Sequence, residues 1–206
     1  MYDSDGVGDS GTLSLAPRAG KTIVAKRIEK FNDDTAVSIT GWNGDQWTNI
    51  KYWKESILGS STGERMFCAH PDIDFEEGVT LTGKDATSEY SQNAIDVIGA
   101  CLYMADNYAR DLDCISDNDA YYYKQAMVWS VMNETKQWYG GFDYVTFDYG
   151  NGQLCDCGSY KSGHFHSMFD EAKKWAKQHC SGEGWKASGI IYSNGDECQP
   201  LIKMTY

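Results

Sequence analysis

Two residues far apart in the sequence could together carry out one specific reaction. Cys68 stands in the short apolar stretch Met-Phe-Cys-Ala, and Gln125 stands in the later segment Tyr-Lys-Gln-Ala-Met-Val-Trp. A cysteine thiolate can attack the carboxamide carbon of a glutamine, which releases ammonia and leaves an internal thioester. That reaction requires a protein to hold the two groups in a geometry that free solution does not provide. The pair therefore raises the hypothesis of a thioester between Cys68 and Gln125.

The elements that must position this pair are predicted from the periodicity of the apolar residues. Alternating or β-branched stretches separated by Gly-rich and Asn-rich turns predict a β region in the first third of the chain. Its predicted strands are 12–16, 22–26, 36–40, Trp47–Trp53 and 64–70. The last of these carries Cys68, and Pro71 is expected to end it because proline cannot donate to a strand ladder.

From about residue 87 the apolar residues recur at helical spacing. A first helix is predicted after an N-cap at Thr87 or Ser88, and a second follows the capping sequence at 116–119 and runs to about Trp138. A third helix is closed by a Ser-Gly pair at 181–182. Gln125 falls on the apolar face of the second helix.

Strands predicted at Ser188–Ser193 and 201–206 complete the chain. This order of elements predicts an α+β fold, in which a helical lobe at about residues 87–138 is inserted into a β-barrel or sandwich-like lobe. We expect residues 1–206 to form a single domain with a flexible N-terminal segment at about 1–10.

The composition excludes several classes of function. Thirty acidic against 18 basic residues give a net charge of −12, which argues against binding to nucleic acid or to an anionic membrane. No apolar run reaches the roughly 18 residues that span a bilayer, and no segment has the pattern of a signal peptide. If the protein acts at a cell surface, its export and anchoring signals are expected to lie outside this sequence.

The seven cysteines suggest an oxidising compartment. An odd number leaves one over after pairing. If a thioester consumes Cys68, six remain for up to three disulfides, and their pairing stays open. They are Cys101, Cys114, Cys155, Cys157, Cys180 and Cys198.

The two motifs resemble those of the thioester domains of Gram-positive bacterial surface adhesins. That family pairs a strand cysteine, preceded by an aromatic residue, with a helical glutamine in a Thr-Gln-x-Ala-x-Trp-like stretch. Here the spacing from Gln125 to Trp129 is kept, while Lys124 and Met127 stand where the family usually has Thr and Ala. The resemblance implies a surface-exposed, monomeric module without a cofactor or metal. Its thioester is expected to acylate an amine, such as a lysine, on a host extracellular protein or other surface ligand.

Other residues are candidates for a thioester pocket. Aromatic side chains would shield the bond from water while leaving an edge for an incoming amine. His70 would share a face with Cys68 in a continuous strand, where it could accept the thiol proton. It could equally well begin the turn before Pro71. The predicted pocket consists of Phe67, His70, Tyr121, Tyr122 and Trp129.

Three other interpretations remain open. Cys68 could be a buried structural cysteine and Gln125 a hydrogen-bonded core amide. Cys68 could instead be the nucleophile of a cysteine hydrolase or acyltransferase, with His70, His164 or His166 as the base, although no oxyanion hole is evident. The chain could also bind a ligand without covalent chemistry.

A metal site at Cys155, Cys157, His164 and His166 is disfavoured, since the cysteine spacing is not that of structural zinc. Because a thioester of this kind reacts once, the leading hypothesis is not an enzyme.

Overall fold

The protein is described by a computed structural model at residues 20–30, 36–42, 47–53, 56–71, 73–111, 117–136, 144–148, 162–182 and 184–206. Within these residues the strands are β1 (Thr22–Lys30), β2 (Ala36–Trp42), β3 (Trp47–Trp53), β4 (Ser56–Ser60), β5 (Phe67–Cys68), β6 (Thr80–Asp85), β7 (Tyr144–Asp148), β8 (Ser188–Ser193) and β9 (Leu201–Thr205). The helices are α1 (Gln92–Asp111), α2 (Asp117–Lys136) and α3 (Ser162–Gly182), and a short 3-10 helix covers Ala86–Ser88.

Six strands form an antiparallel sheet in the order β4-β1-β6-β8-β9-β5. Its two end strands approach each other, because Met66 donates a backbone hydrogen bond of 2.9 Å to Leu58 of β4 and Arg65 bridges to Gly59. The sheet is therefore nearly closed. A second antiparallel sheet has the order β3-β2-β7, and α1 packs against both α2 and α3. This is an α+β fold, as predicted.

The turn between β4 and β5 depends on a glycine. A Cβ at Gly59 would overlap the carbonyl oxygen of Glu64, which accepts a hydrogen bond from Ser60 at 3.0 Å. Gly63 completes this turn with a φ of +90°, a conformation that glycine adopts without strain. The turn brings the chain back alongside β4 and so fixes where β5 begins.

The buried apolar residues form two clusters, one between the helices and the outer face of the large sheet and one inside it. Met66 and Cys68 belong to the inner cluster, whereas Phe67 and Ala69 pack with the helical cluster. Successive residues of a strand point to opposite faces. Residues 66–69 therefore keep the alternation of a strand, and Cys68 faces the interior of the nearly closed sheet.

The prediction of a strand at 64–70 is wrong in length. Only Phe67 and Cys68 have ladder partners, Ile202 and Leu201 of β9. Ala69 donates one more bond, of 2.8 Å, to the carbonyl of Pro200, but a proline has no N–H to return. The ladder therefore stops where Pro200 faces the strand.

The three helices are confirmed, with different first residues. The predicted N-cap at Thr87 or Ser88 is wrong, because Asp85 caps the 3-10 helix there, accepting a 2.8 Å bond from the backbone N–H of Thr87. The α-helix starts one turn later, where the Ser91 hydroxyl accepts from Ala94 at 3.1 Å.

Three further expectations concern residues that the structure does not describe. The predicted strand at 12–16 and the N-terminal segment at 1–10 lie outside the described residues, as do Cys114, Cys155 and Cys157.

Cys101, Cys180 and Cys198 form no disulfide with one another. Among the helices that are described, none combines the length and apolar character needed to cross a bilayer.

Candidate functional site

The side-chain amide of Gln125 is paired with the backbone of Cys68. Gln125 Oε1 accepts a hydrogen bond of 2.6 Å from the Cys68 N–H, and Gln125 Nε2 donates one of 2.9 Å to the Cys68 carbonyl. In a strand, the N–H and C=O of one residue point to the same side. Both groups of Cys68 point away from β9, and the carboxamide from α2 takes the place that a further strand would occupy.

Tyr121 makes the same kind of contact one helical turn earlier. Its hydroxyl donates a bond of 2.5 Å to the carbonyl of Met66 and accepts one of 3.3 Å from the N–H of Leu58 on β4. The tyrosine ring also stacks on Phe67, with 5.2 Å between the ring centroids. Tyr121 and Gln125 therefore fix the position of β5 relative to both α2 and β4.

Both members of the pair are shielded from water. Cys68 and Gln125 each expose only 2% of their surface. Trp129, 7% exposed, belongs to the inner cluster with Cys68, although it lies on the helix that carries Gln125. A buried carboxamide must satisfy its donor and acceptor within the protein. Here it does so on the backbone of the one residue whose side chain could attack it.

The hydrogen bonds suit an acyl transfer between these two side chains. The Cys68 N–H binds the carboxamide oxygen, where negative charge would develop if a thiolate attacked the carbonyl carbon, and a preorganised donor at that position stabilises such a charge. The bond from Nε2 to the Cys68 carbonyl holds the nitrogen that would leave as ammonia in that reaction. No oxyanion donor was evident in the sequence for the hydrolase interpretation, and the donor found in the structure binds the carboxamide oxygen of Gln125.

The other predicted pocket residues are placed as follows. Phe67 and Trp129 flank Cys68 as described above, one in each apolar cluster. Tyr122 lies in α2, but its side chain is not among those described. His70 lies beyond the end of β5, so the argument that placed it on the same face as Cys68 does not apply. Its backbone carbonyl accepts a 3.1 Å bond from Gln199, and its role as a base stays a prediction.

Sequence reasoning missed two features around the pair. The first is Tyr90, which is 3% exposed and packs with Ala69 in the helical cluster. Burial raises its pKa well above the usual value, and charges on Glu89 and Cys68 act in the same direction. Only the apolar spacing before α1 marked Tyr90 in the sequence, and that spacing indicates a core residue.

The second feature is the ion pair of Lys124, the residue next to Gln125. Its ammonium contacts Asp106 of α1, and the Tyr206 hydroxyl donates a 2.5 Å bond to the same carboxylate. Side chains from α1, α2 and the residue after β9 thus meet on the surface just outside the buried glutamine. Lys124, which stands where the thioester-domain family usually has threonine, therefore connects α2 to α1.

Comparison with known proteins gives one structural likeness. No family model matches the sequence, and no similar protein is found among curated sequences. A search of solved structures finds similarity to the thioester domain of the Staphylococcus aureus TIE protein. That similarity covers 88% of this chain and 92% of the other, with a TM-score of 0.46 and 7% sequence identity. At this level the likeness carries no weight in assigning a reaction, so the proposal below depends on the geometry of the site.

Proposed function

We propose that Cys68 and Gln125 condense to an internal thioester, which serves for one covalent attachment to an amine. In the first step the Cys68 sulfur bonds to the Gln125 carboxamide carbon, the C–N bond breaks, and the nitrogen leaves as ammonia with the thiol proton. In the second step a primary amine attacks the same carbon, the C–S bond breaks, and Cys68 regains a thiol. The lasting product is an amide between Gln125 and the ligand.

The observation that carries this proposal is the double hydrogen bond between the Gln125 carboxamide and the Cys68 backbone, at 2.6 and 2.9 Å. A structural amide could satisfy itself on any polar backbone within reach. This one binds the residue that carries the thiol, in a buried site where neighbouring groups are preorganised and water is excluded. The same arrangement supports single-use covalent binding better than turnover, because the acyl group belongs to the protein itself.

We further propose that the domain is a surface adhesin module that attaches a bacterial cell to a host extracellular protein or other amine-bearing ligand. The support is the resemblance of the two motifs to those of Gram-positive thioester domains. The net charge of −12 is compatible with a lysine-rich partner surface. In this proposal the domain acts as a monomer and is extracellular.

The decisive experiment is the intact mass of the protein after denaturation and reduction of disulfides. A thioester makes the wild-type chain lighter than its sequence by one ammonia. Cys68→Ala and Gln125→Ala should each give the full encoded mass. Cys101→Ala is the matched control, because it removes another fully buried thiol from α1 and should keep the loss of ammonia.

Freshly prepared wild type at its full encoded mass, in a buffer without nucleophiles, would refute the thioester. A loss of ammonia that persists in Gln125→Ala would place the bond on another residue. Either result would favour a hydrogen-bonded core amide at Gln125 and a structural cysteine at Cys68.

The adhesin role needs a separate test with candidate extracellular proteins. Wild type, Cys68→Ala and Gln125→Ala are incubated with each candidate and separated on denaturing gels. Adducts that survive boiling and reducing agent should form with wild type alone. Equal adducts with Gln125→Ala would contradict the mechanism, since the amide is made at that residue.

A further inference from the structure

A cavity of about 330 Å³ lies directly beyond the Cys68 end of β5. Ala69 and His70, the two residues after Cys68, form part of its wall, and Tyr90 forms another part. Pro200, whose carbonyl holds Ala69 at 2.8 Å, lines it as well. The cavity is therefore built on the segment that immediately follows the reactive cysteine.

Tyr90 links this cavity to the segment that carries Cys68. It lines the cavity together with Ala69 and His70, and it is buried in the same apolar cluster as Ala69, the residue directly after Cys68. An amine held in this cavity would therefore lie against the two residues that follow Cys68.

The lining combines an apolar interior with charged groups. Ile73 and Ile191 supply aliphatic surface, while Glu89, Asp196 and Lys136 supply two carboxylates against one ammonium. Lys136 pairs with Glu89 at 3.2 Å and lies 5.0 Å from the centre of the Tyr90 ring. The uncompensated carboxylate favours a cation, and the aliphatic surface favours a hydrocarbon chain.

The volume limits what can enter. Pockets for whole small molecules span roughly 300–1,000 Å³, so this cavity lies at the lower end of that range. It has room for one extended side chain and not for a folded segment of a partner. An alkylammonium with a few methylene groups matches its size, apolar surface and charge together.

We propose that this cavity is the subsite that receives the aliphatic chain of the incoming amine, and that it selects linear alkylamines of lysine-like length over short ones. This inference rests on the thioester proposed above. It assigns a recognition role to Tyr90, Ile73, Ile191 and the rim carboxylates, and it implies that a lysine enters from the β5–β9 end of the sheet.

The test compares the rates at which methylamine and n-butylamine add to the wild-type protein, followed by intact mass. Each rate is divided by the rate of the same amine with a small-molecule thioester, which removes differences in intrinsic reactivity. We expect n-butylamine to be favoured by about tenfold, because its three additional methylenes become partly buried. A normalised ratio near one would overturn the proposal while leaving the thioester intact.

Two variants connect any preference to this cavity. Ser193→Phe fills the cavity from the end of β8 and should lower the normalised ratio of n-butylamine to methylamine to about one. Ser61→Phe, in the exposed turn after β4, is the matched control and should keep the ratio. If Ser193→Phe does not fold, Ile73→Ala removes part of the apolar wall and should lower the ratio about threefold.

An unchanged ratio in both cavity variants would place the selectivity elsewhere and refute the subsite. A wild-type protein that never loses ammonia would instead refute the thioester, and the subsite with it. The mass of the untreated protein therefore separates the two failures before any amine is added.

Discussion

Replacing Tyr121 by phenylalanine should destabilise the fold strongly, although it removes only one oxygen atom. The Tyr121 hydroxyl bonds to the Met66 carbonyl at 2.5 Å and to the Leu58 N–H at 3.3 Å, and the tyrosine is 5% exposed. Tyr121→Phe leaves both backbone groups buried without this partner, while the ring keeps its stacking on Phe67.

Each buried polar group left without a partner costs about 1–3 kcal/mol. Because the Leu58 bond is long at 3.3 Å, we expect a total in the lower half of the combined range, about 2–4 kcal/mol. For a chain of 206 residues, each kcal/mol lowers the melting temperature by about 2–4 °C. Tyr121→Phe should therefore melt about 5–15 °C below wild type.

The assay is urea unfolding followed by tryptophan fluorescence, with thermal melts as a second measure. Tyr206→Phe is the matched control, because it deletes a hydroxyl that also donates a hydrogen bond, to Asp106, but on a residue that is 45% exposed. Water can replace that bond, so the control should change stability by less than about 1 kcal/mol. Equal losses in the two variants, or a loss under about 0.5 kcal/mol in Tyr121→Phe, would refute the reasoning.

Three further perturbations test other parts of the fold. Asp96→Ala should cost about 1–3 kcal/mol in urea unfolding, because it removes the buried acceptor that holds the Ala187 N–H at 2.9 Å, and an unchanged midpoint would contradict this contact. Asp85→Ala should cost about 0.5–2 kcal/mol at neutral pH by removing a cap. Hydrogen bonds from Thr87 lower the pKa of Asp85, so its contribution should be lost as pH falls through that lowered pKa, and a pH-independent difference between variant and wild type would be evidence against it. Burial, with the nearby Asp96 carboxylate, raises the pKa of the Cys180 thiol to about 11. The unfolded chain loses that proton first, near pH 8.5, so unfolding midpoints should fall as pH rises from about 8.5 to about 11. Cys180→Ser should reduce that slope, and an identical slope would exclude Cys180 as its source.

The sequence was sufficient for the elements that depend on local periodicity. The helices α1, α2 and α3 and the strands β1, β2, β3, β8 and β9 lie where the apolar spacing predicts them, apart from a few residues at their ends. The spacing of apolar side chains and the capping residues are local features, so they can be recognised in a single sequence. The fold class followed from their order.

The sequence could not predict contacts that depend on register between distant segments. Nothing in the spacing of residues 64–70 shows that Pro200 stops the ladder with β9, or that α2 and not a strand covers the other edge of β5. The cavity was missed for the same reason, since its walls come from the segment after β5, from α2, from β8 and from the segment before α1. The spacing of apolar residues indicated that Tyr90 is a core residue, but it could not show that Tyr90 also lines a cavity.

The contact between α2 and β5 depends on a match between two different repeats. Tyr121 and Gln125 are four residues apart in a helix, a rise of about 6 Å, and Met66 and Cys68 are two residues apart along extended chain, about 6.6–6.8 Å. Two side chains one turn apart on the helix can therefore bond to the backbone carbonyls of two alternate residues, Met66 and Cys68. A shift of one residue in β5 would turn Cys68 away from α2 and bring Phe67 to the carboxamide. The hydrogen bonds of Tyr121 therefore support the register that places the Gln125 carboxamide on the backbone of Cys68.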